Sequence, residues 1–149
     1  MTRINLVPVQ DLADQHLFAE WREIKMVPAA LRRSLKTRNK GDILAGVPRR
    51  YTLNKGHVTF FFNKMKFLTE RYKLLSDELV KREYRLGSGD DFAEFTYDIP
   101  GEFTHVEWQP GAKEVAVNVE RILLRIGEKP LWYKYLSLPI TPAFYESYK

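Results

Sequence analysis

The sequence has no cysteine among its 149 residues. That excludes disulfides, thiolate nucleophiles and cysteine-ligated zinc or iron–sulfur sites, and it fits a reducing cytoplasm. Histidine is scarce as well. His16, His57 and His105 are the full set, with no metal-ligand spacing among them, so no metal or other cofactor is expected. No run approaches the roughly 20 apolar residues that a membrane span needs, and the first segment has one early Arg but no apolar stretch of signal-peptide type. Internal repeats, low-complexity runs and a convincing pair of strands are also missing. What remains is enough apolar sequence, 44% of the chain, for one domain spanning 1–149 with a real core.

Opposing charge is lacking in two places. Between residues 22 and 55 the chain carries Arg22, Lys25, Arg32, Arg33, Lys36, Arg38, Lys40, Arg49, Arg50 and Lys55, against only Glu23 and Asp42. From 90 to 107 it carries six carboxylates and no Lys or Arg. With a net charge of +5, this polarity presents a basic face suited to a polyanion, as nucleic acid is. A solvated basic face with no partner would look the same.

Three segments repeat apolar residues at helical spacing. In the first, from Asp14 to about Lys36, residues Leu17, Trp21, Ile24, Pro28, Leu31 and Leu35 share a face; Asp14 is a candidate N-cap, and Pro28 should bend or interrupt the helix. The second runs from about His57 to Tyr84, with Phe61, Met65, Leu68, Tyr72, Leu75 and Leu79 as its stripe, widened by Phe60, Phe62 and Phe67. The third runs from about Ala112 to Ile126 on Val115, Val119, Ile122, Leu123 and Ile126, with Gly127 as a natural stop. Residues 37–56 and 85–110 read as long loops, and the tail is aromatic and broken by Pro. The expected fold is all-α: three main helices in one compact domain.

The face of the first helix opposite its core carries Gln15, Ala19, Arg22, Glu23, Met26, Ala30 and Arg33, with His16 at the edge. Glu23 is the odd member, because a carboxylate on a phosphate-binding face repels the ligand unless it has a task. A partner for a neighbouring base is the plainer account of it. At the start of the chain, removal of Met1 would leave the α-amine of Thr2 beside Arg3. An α-amine has a pKa near 7.7–8.0, against about 10.4 for Lys, so a useful fraction is neutral at physiological pH. A neutral amine can attack an electrophilic carbon to form a Schiff base, and a nearby carboxylate can stabilise the cation that develops.

The blocks MTRIN, LADQHLFAEWRE, GHVTFF and KPLWYKY, in this order, resemble the phage-type endonuclease V family, pyrimidine dimer DNA glycosylases with apurinic lyase activity. The resemblance implies an all-α domain with its N-terminal tail between helices, acting on UV-damaged duplex DNA; a monomer is expected, with no membrane, no obligatory protein partner and no cofactor. It implies that Thr2 supplies the nucleophilic α-amine and Glu23 the essential carboxylate for excising cis-syn cyclobutane dimers and for β-elimination. Arg3, Gln15, His16 and Arg22 match positions at the lesion and its phosphates. Arg121 and Arg125 match basic DNA-contacting positions, and Trp132 and Tyr133 lie in an aromatic segment tied to DNA binding. Lys25 and Arg33 join the DNA-binding candidates from the basic stretch. Met26 departs from the pattern, standing where the best-known member has Arg, and Phe62–Asn63 replace a Tyr–Asp pair. Two alternatives stay open: a non-catalytic basic DNA-binding module, and a glycosylase for oxidised or ring-opened purines or abasic sites.

Overall fold

The structure, a computed structural model, describes residues 3–86 and 91–148. Among these are seven α-helices: α1 (Asp14–Glu23), α2 (Met26–Leu35), α3 (Lys40–Ala45), α4 (His57–Phe60), α5 (Met65–Lys81), α6 (Ala93–Thr96) and α7 (Ala112–Glu128). One small antiparallel pair, β1 (Lys134–Tyr135) and β2 (Leu138–Pro139), follows α7. The fold is all-α as expected, with two of the expected helices divided and the two long loops partly coiled into α3 and α6.

The first division falls before Pro28. The turn breaks at Ile24–Lys25, and α2 restarts at Met26, which makes Pro28 its third residue. The first N–H groups of a helix have no partner inside it, so a proline there removes no helical hydrogen bond. The second division separates α4 from α5. The buried Lys64 donates from Nζ to the Phe60 carbonyl at 2.9 Å and to Asn63 Oδ1 at 2.8 Å, tying off the end of α4. Phe60, Phe61 and Phe67 then gather edge-on against Trp108. At the other end, α7 runs through Gly127 to Glu128 instead of stopping there. The core stripes stand as read: Leu17, Ile24 and Leu31, then Leu68, Leu75 and Leu79, then Val119, Ile122 and Ile126, are all buried in one cluster with Ile4, Val7 and Tyr145. The two-residue strand pair is an addition that the sequence pattern did not signal.

Asp14 is not the N-cap of α1; Ala13 holds that place. Asp14 instead takes Arg82 Nη1 at 3.0 Å and accepts the backbone N–H groups of Leu136 and Ser137 at 3.1 and 2.9 Å. Arg82 also pairs with Glu78 and donates to the carbonyls of Val9, Gln10 and Leu12. A second buried pair, Arg71 with Glu20, uses two hydrogen bonds of 2.7 and 3.0 Å and locks α5 to α1.

The N-terminal segment lies between helices. Ile4, Asn5, Leu6 and Val7 are buried, so their backbone polar groups need partners from the protein. Asn118 of α7, fully buried, accepts from the N–H groups of Leu6 and Val7 at 2.7 and 3.1 Å and donates to Asn5 Oδ1 at 2.8 Å. On the other side Ile4 donates to His57 Nε2 at 2.8 Å, and its carbonyl accepts from the Tyr51 hydroxyl at 3.1 Å. With Nε2 accepting and Nδ1 2.8 Å from the Thr52 carbonyl, His57 must be the neutral Nδ1–H tautomer. Burial, the largest cause, pushes its pKa in the same direction. No helix among the described residues is long and apolar enough to cross a membrane.

Candidate active site

A cleft of about 360 Å³ opens where the N-terminal segment, α1, the end of α7 and the aromatic tail meet. Helical geometry supplies one wall. Leu17 of α1 and Ile24 just past its end go to the core, and His16, Ala19, Glu20 and Glu23 line the cleft from α1, Glu20 buried at its base. Ala19 is small and leaves that wall low. Arg3 and Asn5 enter from the anchored N-terminal segment; Arg125, Glu128 and Lys129 come from the end of α7.

Trp132 and Tyr133 close the remaining side, and Gln15 holds them there. Its amide nitrogen donates to the Trp132 carbonyl at 2.7 Å while its oxygen accepts from the Lys134 N–H at 2.9 Å. The Tyr133 ring stacks on His16, with centroids 4.5 Å apart. Gln15 is thus a tether for the aromatic segment.

The electrostatics follow from this crowding of cations. Burial is the main reason that the His16 pKa falls to about 4, with Arg3 and Arg125 adding to it, so the ring is neutral at physiological pH. Arg3 is also lowered, first by burial and then by Arg121 and Arg125, while Glu23 acts in the opposite sense. The carboxylates differ in their commitments. Glu20 is held by Arg71, and Glu128 lies 3.1 Å from Arg125. Glu23 has no cation in ion-pair contact among the described residues. The pairing with a neighbouring base that would make Glu23 unremarkable is therefore not formed by the described residues.

Three buried nitrogens lack a hydrogen-bond partner among the described residues: His16 Nδ1, Arg121 Nε and Arg125 Nε. An unmet buried donor costs about 1–3 kcal/mol, and such groups call for an explanation. Here His16 and Arg125 line the cleft and the charge of Arg121 reaches Arg3. The lining itself is balanced, Arg3, Arg125 and Lys129 against Glu20, Glu23 and Glu128, but Glu20 is spent on Arg71 and Arg121 adds a charge alongside, so unpartnered nitrogens and cations are left for an anion.

Of the residues expected from sequence, the cleft brings together Arg3, Gln15, His16, Glu23, Arg125, Trp132 and Tyr133. Arg121 stands beside it and reaches Asn54 Oδ1 at 3.5 Å. Arg22, Lys25 and Arg33 are exposed and do not line it. Arg22 lies over the Phe18 ring at 5.6 Å and Lys25 faces Phe95 at 6.0 Å. Thr2 falls outside the described residues. Sequence reasoning missed Asn5, Glu128, Lys129 and the anchor Asn118. The signal for Asn118 was available: it is a lone amide beside Val119 and between Val115 and Ile122 on the buried face of a helix.

The fold and cleft define a helical protein with a cation-rich site built around an uncommitted carboxylate. The sequence model of the pyrimidine dimer DNA glycosylase family matches residues 1–91, and the chain belongs to that family: it is a DNA repair glycosylase. The match covers the N-terminal segment and α1 to α5. The far side of the cleft, from Arg125 to Tyr133, lies beyond the matched residues.

Proposed function

We propose that this protein excises cis-syn cyclobutane pyrimidine dimers from duplex DNA and then nicks the strand through an imine on the α-amine of Thr2. The observation that carries the reading is the uncommitted Glu23 sharing a cleft with Arg3, the residue bonded to Thr2. Ile4 is fixed on both sides of its backbone, by His57 and Tyr51, so the chain reaches the cleft from a rigid support. The cations around the cleft favour the neutral, nucleophilic form of an amine close to them.

In the reaction, the amine nitrogen attacks C1′ of the 5′ nucleotide of the dimer. The glycosyl bond breaks toward the base, which takes up a proton and stays joined to its neighbour through the cyclobutane. Loss of a proton from nitrogen and opening of the sugar give the imine. Removal of a C2′ proton then expels the 3′ phosphate by β-elimination. Glu23 faces the developing iminium charge, which a carboxylate stabilises strongly in a site shielded from water. Neutral His16 cannot compete with the amine for positive charge, and its unmet nitrogen can bond the sugar or a phosphate. Arg3, Arg121 and Arg125 meet phosphates at the lesion; Arg22, Lys25 and Arg33 meet the flanking backbone. Trp132 and Tyr133 offer rings against the damaged bases.

Borohydride trapping tests this. The protein is incubated with a duplex carrying one dimer, the imine is reduced, and the linked peptide is identified by mass spectrometry. The expected adduct is on the α-nitrogen of Thr2, and Glu23→Gln should bind the duplex normally yet fail to excise. An adduct on a lysine, or none on either dimer or abasic DNA, refutes the mechanism.

A further inference from the structure

The segment between α7 and β1 contains a backbone conformation that its sequence should avoid. Trp132 N–H donates to the Lys129 carbonyl at 3.1 Å, closing a β-turn over Pro130 and Leu131. Leu131 has φ +62°. A positive φ at this turn position ordinarily selects Gly or Asn, and a bulky residue there is a true outlier. Burial does not compensate for it, because Leu131 is 60% exposed.

The hairpin nearby gives a useful contrast. Leu136 and Ser137 also have positive φ, 49° and 68°. There the conformation aims two successive N–H groups at the Asp14 carboxylate, and that contact accounts for it. At Leu131 the turn bond and the Gln15 tether on the next residue's carbonyl set the backbone, but neither uses the exposed Leu131 side chain. A bulky side chain kept at a strained position where those contacts do not need it is a reason to look for function.

The place of the turn suggests what that function is. Lys129 and Trp132, on either side of Leu131 and Pro130, line the cleft, so Leu131 stands on its rim. Lys129 Nζ lies 4.7 Å from the centre of the Trp132 ring, and Trp132 is itself 49% exposed. The rim thus presents an apolar projection with a cation, Lys129, on one side and a half-exposed ring, Trp132, on the other. Cations meet the phosphates on the outside of a duplex, while an apolar side chain among them meets the stacked bases. Proteins that kink DNA use Leu in this way, as a wedge inserted between base steps.

We infer that Leu131 is a wedge residue: it enters the stack beside the lesion and fills the space that opens when a nucleotide leaves it. The inference rests on the proposed dimer glycosylase activity and adds to it the residue that offsets the distortion of the duplex. Leu131 is a positioning residue here, touching bases but no reacting atom.

The test uses two substrates, a dimer in a fully paired duplex and a dimer opposite two mismatched bases, where the stack is already loosened. The variants are Leu131→Gly, which relieves the backbone and removes the side chain, and Leu131→Asn, which tolerates the positive φ and is polar. Both should excise from the paired duplex about tenfold more slowly than the unsubstituted protein and from the mismatched duplex within about twofold of it. Their melting temperatures should be unchanged or higher. Equal rates on the two substrates for all three proteins would overturn the wedge. A fall in melting temperature with equal loss on both substrates would also overturn it, in favour of a structural role. If the unsubstituted protein excises from neither duplex, the dimer glycosylase reading fails first and takes the wedge with it.

Discussion

Asn118→Ala is the substitution that separates anchoring from chemistry. Asn118 does not itself line the cleft, yet its side chain makes three hydrogen bonds to the N-terminal segment, one of them to the cleft residue Asn5. Removing it leaves the N–H groups of Leu6 and Val7 buried with no acceptor. Each such group costs about 1–3 kcal/mol, and the lost bond to Asn5 adds about 1 kcal/mol. The vacated space has room for a water that recovers part of this, so a net loss of about 3 kcal/mol is expected. For a chain of this length that corresponds to a fall in Tm of about 6–12 °C. A domain with the usual 5–15 kcal/mol of stability still folds at 25 °C with that loss. The effect on activity should be larger than the effect on folding, because Arg3 and the residue before it depend on this anchor for their position. Misplacement by about 1 Å can cost about a hundredfold in rate. The assay pairs urea denaturation with single-turnover excision at saturating enzyme. Leu79→Ala is the control: Leu79 is fully buried in α5 and not part of the cleft, and its truncation costs about 2–5 kcal/mol. If both variants lose similar stability and Asn118→Ala retains the activity of the control, the positioning argument is wrong.

Glu20→Ala should lower stability by about 3–5 kcal/mol, because it strands the buried charge of Arg71; a Tm within about 2 °C of the parent would contradict this. The pH dependence has a definite sign. His16 titrates near 4 when folded and near 6.5 when unfolded, so below about 6.5 the unfolded chain binds the proton first and stability falls as pH drops toward 4. His57, also lowered, works in the same direction. Denaturation at a series of pH values should show His16→Gln with a shallower decline, and an unchanged slope would refute the His16 assignment. Arg121→Gln should weaken DNA binding and reduce the slope of log K against log salt by about 1; an unchanged slope in a fluorescence titration would remove Arg121 from the phosphate contacts.

The parts of this molecule legible from sequence are those governed by local periodicity. Leu17, Ile24 and Leu31, or Leu68, Leu75 and Leu79, announce their buried face because a helix returns every 3.6 residues. His16 and Glu23 share a side of α1 for the same reason, and Arg121 and Arg125 share a side of α7, four residues apart. Local pattern is silent about partners distant in sequence. Asp14 has the chemistry of a cap and stands just ahead of an apolar helical stripe, but Arg82 and the hairpin claim its carboxylate. Glu20 and Glu23 are chemically alike and three residues apart, and only the position of Arg71, 51 residues from Glu20, decides which one is committed. Gln15 fits a phosphate contact equally well until the tail folds back onto it. The break between α4 and α5 is hidden because a side chain, Lys64, ties off the helix there, and no periodic signal encodes that.

The cleft also has an order of completion. Its near wall and Arg3 are made before its far wall, which runs from Arg125 to Tyr133. The hydrogen bond from Leu6 to Asn118 closes 112 residues of chain. A nascent chain emerges from its N-terminal side, so the segment that carries Arg3 waits without its anchor until α7 has been synthesised. An unfinished chain therefore holds DNA-attracting charge but no assembled site, and a cut anywhere between α1 and α7 would leave the two walls joined only by packing. Competence to act on DNA arrives late and as a whole.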